Sequence, residues 1–186
     1  MAKRILNQSI EALLNSQVIL YPTDTIWGLG CDATSIDAVA KIFKLKNRVE
    51  SKSLVVLVSS IKMLCSYVHK VPQKAIDIIT TTKKPTTIIY NNPKGLAANA
   101  IASDNTIAIR IPSHDYCLEL INKFGKPIIS TSANISGEST PKSFSEISLP
   151  ILEGVDYVVN LEQDKITDKS STILKIVGND IEVIRA

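Results

Sequence analysis

Apolar positions along the 186-residue chain follow two spacings, and each spacing predicts a different element. Near the N-terminus, Ile5, Ile10, Leu13 and Leu14 suit one face of an amphipathic helix, and the apolar run 18–21 that follows predicts a buried strand. Further helices are predicted at residues 36–45, 61–67, 72–81 and 114–124. Further strands are predicted in the segments SLVVLVSS, TTIIY, TIAIRIP, KPIIST, DYVVN, STILKIV and IEVIR.

The second helix has a defined start. Ser35 precedes it as an N-cap and Asp37 lies in its first turn. Its apolar stripe is predicted to consist of Ile36, Val39, Ala40 and Phe43.

Helices and strands interleave along the chain without a repeat or a low-complexity linker. This order predicts an α/β fold in which residues 1–186 form a single domain, built on one large, twisted, mixed sheet flanked by helices. No helix is predicted between the last strands, so we expect antiparallel pairing there.

Composition narrows the function only slightly. The formal net charge of +3 and the pI of about 8.7 are too mild to define a nucleic-acid-binding protein, although they allow an anionic partner. Cys31, Cys65 and Cys117 are far apart and form no C-x-x-C pair, so neither a zinc site nor a disulfide framework is predicted. No apolar run has the length of a membrane span, and the N-terminus does not resemble a secretory signal. We therefore expect a cytoplasmic protein with no membrane association.

A polar, glycine-rich segment, PTDTIWGLGCDA, follows the strand at 18–21. Gly28, Gly30 and Ala33 match the dinucleotide-binding pattern G-x-G-x-x-A, but the first glycine of that pattern directly follows its strand. Here Pro22 and five more residues intervene, so we reject a dinucleotide site. The sequence contains no G-x-x-x-x-G-K-[ST] motif, so the phosphates of any bound nucleotide must be neutralised by side chains.

Three other features could supply ligand-binding side chains. The segment KIFKLKNRVESKS holds five cations against Glu50, although a solvated helix end is the alternative. Hydroxyl groups crowd the segment PIISTSANISGESTPKS after an apolar strand, where turns and caps are the alternative. Arg110 lies inside an apolar strand, where either an ion pair or an anionic ligand would satisfy its charge. Ligands of open α/β sheets bind at the carboxyl ends of strands, which favours the binding interpretation.

The sequence offers few candidates for a catalytic histidine or a metal site. His114 lies beside Asp115, but no G-x-S-x-G elbow accompanies them, so His114 is predicted to start a helix. His69 is expected at the surface. The sequence holds no H-E-x-x-H motif and no carboxylate cluster, so no protein-held metal is predicted.

Taken together, the segments YPTDTIWGLGCDA, KLKNR, TIAIRIP, STSANISG and SSTILKI resemble the YrdC-type threonylcarbamoyl-AMP synthases. The K-x-R and S-x-N signature of that family falls on Lys46, Arg48, Ser132 and Asn134. The resemblance implies a concave, positively charged cleft on a twisted α/β sheet. It also implies synthesis of threonylcarbamoyl-AMP and pyrophosphate from L-threonine, bicarbonate and ATP, with Mg²⁺ carried in by ATP. The product would serve a downstream threonylcarbamoyl transferase complex that modifies a tRNA adenosine next to the anticodon.

The resemblance also assigns roles to individual residues. Lys46 and Arg48 would be catalytic. The threonine site would contain Thr23, Val55, Arg110, Ser130 and Ser171. The ATP site would contain Lys46, Glu50, Lys52, Thr106, Ser132, Asn134, Thr140 and Arg185, with Arg48 and Lys52 near the phosphates. The segment 82–87 reads T-K-K-P-T-T where the family usually has W-P-G-P-L-T, so one wall of the cleft lacks the tryptophan and the glycine of that pattern.

The predicted positions of these residues can be compared with the structure. We expect Lys46 and Arg48 at an exposed helix exit, and residues 47–53 as a lid over the site. Alternation in DIEVIRA predicts that Ile181, Val183 and Arg185 share one strand face. Trp27 is expected to pack as a wall.

Two other functions remain open from the sequence. One is a non-catalytic module that binds tRNA or double-stranded RNA through the basic segment. The other is a carbamoyl-transfer domain that acts on carbamoyl phosphate.

Overall fold

The computed structural model describes residues 2–48, 54–178 and 180–186. The helices are α1 Ala2–Leu14, α2 Ile36–Leu45, α3 Ile61–Tyr67, α4 Gln73–Thr81, α5 Asp115–Phe124 and α6 Leu149–Gly154, with short 3₁₀ turns at Ala98–Ala100 and Phe144–Glu146. The strands are β1 Ile19–Tyr21, β2 Gly28–Gly30, β3 Val55–Leu57, β4 Thr86–Asn91, β5 Thr106–Arg110, β6 Ile128–Ser132, β7 Tyr157–Val158, β8 Thr172–Val177 and β9 Asp180–Arg185.

The nine strands of the described residues form one mixed sheet in the order β7-β1-β2-β6-β3-β5-β4-β8-β9. The pairs β1–β7, β3–β5 and β4–β8 are parallel, and the other neighbours are antiparallel. The predicted α/β class with a large mixed sheet is therefore confirmed, as is the antiparallel pairing of the last two strands.

One face of the sheet is covered by four helices. Val56, Ile88 and Ile109 of the central strands belong to a single buried cluster with side chains from α2, α3, α4 and α6. The strand side chains on this face are apolar, and the four helices pack on them and exclude water.

The opposite face is covered by α1 and α5. Tyr21, Leu57 and Ile128 share a second buried cluster with residues of these two helices. Successive strand residues alternate between faces, so Ser130 and Val55, each two positions from a member of this cluster, lie on the same face. There the apolar cluster gives way to polar side chains.

The start of α2 confirms its predicted cap. The Ser35 hydroxyl accepts a hydrogen bond of 3.2 Å from the backbone N–H of Ala38. The predicted stripe needs one correction, because Ile36 is 57% exposed while Ala38 and Ile42 are buried. The apolar face of α2 is therefore rotated by part of a turn from the predicted stripe.

Two elements were missed in the sequence. Residues 28–30, part of the polar, glycine-rich segment that follows the first strand, form strand β2, which pairs with β1 so that Ile19 lies opposite Gly30. A Cβ on Gly30 would lie 2.6 Å from Cε1 of Tyr21, so the glycine allows close packing of a buried aromatic ring. Helix α6 was also missed because its six residues are too short to show a period.

The end of β9 differs from the predicted alternation. Val183 pairs with Leu174 and Arg185 pairs with Ile173, with a β-bulge or irregularity between these partners. Adjacent residues of β8 face opposite sides of the sheet, so the shift turns Arg185 to the face opposite Val183. Ile181 and Val183 share a face, as predicted, but Arg185 lies on the other face with Ile173.

We expect Gly30→Ala to lower the free energy of unfolding by about 1–3 kcal/mol, because the added methyl group must displace the buried ring of Tyr21 or the Ile129 carbonyl 3.0 Å away. Urea unfolding would measure the loss. Ser66→Ala on an exposed turn of α3 is the control, with an expected change within about 0.5 kcal/mol. A Gly30→Ala variant as stable as the control would contradict the packing argument.

Candidate functional site

The polar part of the sheet face forms the floor of a cavity of about 260 Å³. This volume is near the lower end of the ~300–1,000 Å³ usual for small-molecule sites. Its lining combines hydroxyl groups, two arginines from different strands, a third arginine and a tryptophan wall. The lining residues are Thr25, Ile26, Trp27, Gly28, Arg48, Leu54, Val55, Thr87, Arg110, Ser130, Thr131, Ser132, Thr140, Ser170, Ser171, Ile173 and Arg185.

Strand register aligns part of this lining in one row across the sheet. Ile88 pairs with Ile109, so the adjacent position on each strand brings Thr87 beside Arg110. Thr87 pairs with Ile173, and Ile173 pairs with Arg185. Two guanidinium groups and one hydroxyl group therefore share a single cross-strand row on the cavity face.

Arg110 is buried and already has an acidic neighbour. Its Nη1 atom lies 2.9 Å from Oδ1 of Asp24, and both side chains are 5% exposed. Asp24 is held by the backbone N–H of Ser113, which donates to Oδ2 at 3.0 Å. The sequence left open an ion pair or a ligand for Arg110, and the structure provides the ion pair.

The ion pair leaves part of the Arg110 guanidinium available. Its Nη1 atom is engaged by Asp24, but its Nε atom is buried and makes no hydrogen bond with the described residues, while Nη2 donates a long bond of 3.4 Å to Thr25. A planar guanidinium with a buried, unused Nε donor and a weakly bonded Nη2 donor at the wall of a polar cavity is suited to a carboxylate.

Thr23 was predicted in the threonine site, but its hydroxyl group is used inside a turn. It donates to the carbonyl of Ile26 at 2.8 Å and accepts from the backbone N–H of Thr25 at 3.0 Å. Thr23 does not line the cavity, whereas Thr25 and Gly28 do. Thr23 therefore shapes the segment that carries the cavity wall, and a direct ligand contact stays a prediction.

The expected exposure of Lys46 is wrong. Lys46 is 1% exposed and does not line the cavity. Its Nζ atom donates to the carbonyl oxygens of Ser132 and Asn134, each at 2.5 Å. The carbonyl of Lys46 in turn accepts from the backbone N–H of Ser136 at 2.8 Å. Lys46 thus joins the end of α2 to the hydroxyl-rich loop, because an ammonium group without solvent must find other acceptors.

Asn134 also has a local structural role. Its Nδ2 atom donates to the carbonyls of Ile135 and Glu138, and its Oδ1 atom lies 3.4 Å from Nζ of Lys46. Asn134 does not line the cavity, whereas Ser132 does. Three of the four signature residues therefore meet at one junction behind the cavity wall.

Arg48, the fourth signature residue, is half-buried and lines the cavity. The chain turns toward the cavity at Asn47, whose φ of 49° lies in the left-handed region that asparagine tolerates. Burial lowers the pKa of the Arg48 guanidinium from its ordinary value. Arg48 thereby shares the cavity with Ser132 of the hydroxyl-rich loop.

Ser171 and Arg185 are adjacent. The Nε and Nη2 atoms of Arg185 donate to the Ser171 carbonyl at 3.1 and 2.7 Å. The hydroxyl of Thr87 donates to Oγ of Ser171 at 2.9 Å. These bonds tie three strand ends together at one side of the cavity.

The other predicted residues divide into three groups. Val55, Ser130 and Thr140 line the cavity. Thr106 does not, because it lies four residues before Arg110 at the far end of β5 and donates to Asp104 at 2.6 Å. Glu50 and Lys52 lie outside the described residues, as does most of the predicted lid. The ligand roles of all these residues stay predictions.

Sequence reasoning missed several members of the cavity wall, among them Thr25, Thr87, Ser170 and Ile173, and it missed Asp24, the ion-pair partner of Arg110. A signal was present for Thr87, because strand alternation places it on the same face as Ile89 and opposite the core residue Ile88. Asp24 could have been sought as the partner of a buried arginine. Trp27, in contrast, packs as the expected wall, with its ring centroid 5.0 Å from that of Phe144.

Within residues 2–48, 54–178 and 180–186, no three His, Cys, Asp or Glu side chains are grouped closely enough to hold a metal ion. In the same residues, no helix has the length and apolar character needed to span a membrane.

Comparisons with known proteins agree with the fold and show the family. The Sua5/YciO/YrdC family model, described as "Telomere recombination", matches residues 11–186, so the chain belongs to this family. The threonylcarbamoyl-AMP synthase of Pseudoalteromonas translucida is 35% identical over 159 residues, which cover 82% of this chain and 83% of that protein. A putative threonylcarbamoyl-AMP synthase of Methanocaldococcus jannaschii is 33% identical over 185 residues, which cover 98% of this chain and 86% of that protein.

A solved structure shows the same fold. The structure of P. abyssi Sua5 complexed with L-threonine superposes with a TM-score of 0.90 at 23% identity. The match covers 100% of this chain and 54% of that protein, so the chain spans about half its length.

We expect Lys46→Met to lower the free energy of unfolding by about 1–3 kcal/mol, because it leaves the part-buried carbonyls of Ser132 and Asn134 without the Lys46 donor. Urea unfolding would measure the change. Lys44→Met, on the exposed side of the same helix, is the matched control and should be nearly neutral. Equal stability of the two variants would contradict the structural role of Lys46.

The stability difference should also depend on pH. Burial, followed by the nearby charge of Arg48, lowers the pKa of Lys46 from 10.5 to about 8. Between these values the unfolded chain holds more protons at this site than the folded chain, so the unfolding free energy rises with pH. The gap between wild type and Lys46→Met should therefore widen from about pH 8 to about pH 10. A constant or shrinking gap in urea titrations would contradict the lowered pKa.

Proposed function

We propose that this protein is a threonylcarbamoyl-AMP synthase, which converts L-threonine, bicarbonate and ATP into threonylcarbamoyl-AMP and pyrophosphate. Family membership and relatives with that name at 33–35% identity over most of both chains support the assignment. The observation that carries it is the buried Arg110 fork beside a ring of hydroxyl groups, because this arrangement suits a small amino acid with a free carboxylate.

The reaction would begin with attack of the threonine amine on carbon dioxide derived from bicarbonate, which gives a carbamate. A carbamate oxygen then attacks the α-phosphorus of ATP, and pyrophosphate leaves with the electron pair of the broken P–O bond. Such a displacement depends on alignment and on charge stabilisation more than on a protein nucleophile.

The cavity contains groups suited to both tasks. Arg110 would hold the carboxylate of threonine, with Ser130 and Ser171 as hydroxyl partners. Arg48 and Arg185 would face the triphosphate, where charge builds up as pyrophosphate leaves. Lys46 would act by holding the Ser132 loop in place. Mg²⁺ would enter bound to the phosphates of ATP, as part of the substrate.

The wider role follows from the chemistry of the product. Threonylcarbamoyl-AMP is an activated acyl phosphate, so a separate transferase must pass its threonylcarbamoyl group to an acceptor, which we propose is the tRNA adenosine next to the anticodon. We propose that this occurs in the cytoplasm. A direct contact between this chain and tRNA is not required by the proposed chemistry.

The decisive assay is pyrophosphate release from ATP that requires both L-threonine and bicarbonate, with the product identified by mass spectrometry. Turnover that requires carbamoyl phosphate would instead favour a carbamoyl-transfer domain. Salt-dependent tRNA binding without pyrophosphate release would favour an RNA-binding module.

Serine should be a poorer substrate than threonine. We expect its kcat/KM to be lower by an amount equivalent to about 1–3 kcal/mol, because serine lacks the methyl group of threonine.

We expect Arg110→Lys to raise the KM for threonine about tenfold to a hundredfold, because lysine keeps the charge opposite Asp24 but cannot form a planar fork. The affinity for ATP should change little. Steady-state kinetics and calorimetric titration with each substrate would measure both effects. Arg4→Lys, an exposed residue of α1 that does not line the cavity, is the matched control. An unchanged threonine KM in Arg110→Lys would remove Arg110 from the carboxylate site.

A further inference from the structure

We propose that Thr87 is a positioning residue whose hydroxyl group directs the Ser171 hydroxyl proton toward the carboxylate of bound threonine. The inference rests on the proposed function and deepens it. Thr87 is the last residue of the segment 82–87, where it matches the final threonine of the family pattern, and its side chain is fully buried at the cavity wall.

A buried hydroxyl group in a strand needs a hydrogen bond to offset its desolvation. Thr87 meets this need by donating to Oγ of Ser171 at 2.9 Å. Its neighbour Thr86 differs, because it is only partly buried and donates to the carbonyl of Lys84 at 3.0 Å within the same loop. Thr87 is therefore the hydroxyl of this strand end that is connected to the cavity.

The donors and acceptors at Ser171 determine where its proton can point. A serine hydroxyl has one proton to donate and two lone pairs to accept with. One lone pair accepts from Thr87, and Nη2 of Arg185 lies 3.4 Å from the same oxygen as a second donor. None of the described residues accepts the proton of Ser171. The proton is thus left for an acceptor in the cavity that Ser171 lines.

The position of Arg110 indicates where that acceptor would bind. Thr87 lies beside Arg110 in the cross-strand row, so the directed hydroxyl and the buried guanidinium fork occupy the same side of the cavity. A carboxylate accepts hydrogen bonds on both oxygens and can bind both groups at once. Because Thr87 and Arg185 hold Ser171 before the ligand arrives, little reorganisation is needed on binding.

The test compares Thr87→Val, which keeps the shape but removes the hydroxyl group, with Thr87→Ser, which restores it. Thr86→Val is the matched control. Calorimetric titration with L-threonine alone should show about threefold to tenfold weaker binding to Thr87→Val, and nearly wild-type binding to the other two. Binding of threoninol, which has no carboxylate, should be equal in wild type and Thr87→Val. Titration with ATP alone should also show no difference.

A double-mutant cycle separates positioning from general packing. In a Ser171→Ala background, Thr87→Val should cause no further loss of threonine affinity, because the oriented proton is already absent. A loss that persists in that background, a loss confined to ATP, or equal binding by wild type and Thr87→Val would each overturn the inference. If wild type itself bound no threonine, the proposed function would fail instead.

Discussion

Burial of the Arg110 guanidinium in a central strand is the constraint on which the site depends. A charge without water must be balanced, and Asp24 balances it at 2.9 Å without using the Nε donor. The pair fixes the segment after β1 against the end of β5, and this segment carries Thr25 and Gly28 into the cavity wall. The same dry surroundings strengthen any interaction between Arg110 and a bound carboxylate. The same ion pair therefore stabilises the fold and holds the guanidinium group of the proposed carboxylate site.

Two residues of the family signature have a structural role, and the other two line the cavity. Lys46 and Asn134 form a junction behind the wall, where the buried ammonium group donates to the carbonyls of Ser132 and Asn134. Arg48 and Ser132 face the cavity from the two segments that this junction joins. A substitution at Lys46 would move Ser132 as well as remove a charge. Loss of activity in such a variant is therefore not sufficient to place its ammonium group on a phosphate.

Most of the fold could be predicted from the sequence because long apolar strands and capped helices carry strong periodic signals. The start of α2 at Ser35 and the strand at Thr106–Arg110 are examples. The missed strand β2 has three residues, two of them glycine, so it has neither a period nor a strand-forming composition. The cavity could be predicted as a set of polar strand ends, but the burial of Lys46 and the contact between Asp24 and Arg110 depend on tertiary packing. Residue spacing along the chain holds no information on either.

The position of β9 at the edge of the sheet affects how easily the cavity opens. Strand β9 is the last of the sheet order, so it is held by β8 on one side only, and its Val183 and Ile184 side chains are 61% and 50% exposed. Edge strands of this kind open by local unfolding at a lower free energy than the sheet centre. When β9 detaches, Arg185 leaves the cavity and the Ser171 carbonyl loses both of its guanidinium bonds. Occupancy of the cavity is thereby coupled to closure of the sheet edge, so a ligand held by Arg185 slows hydrogen exchange in the last strand of the chain.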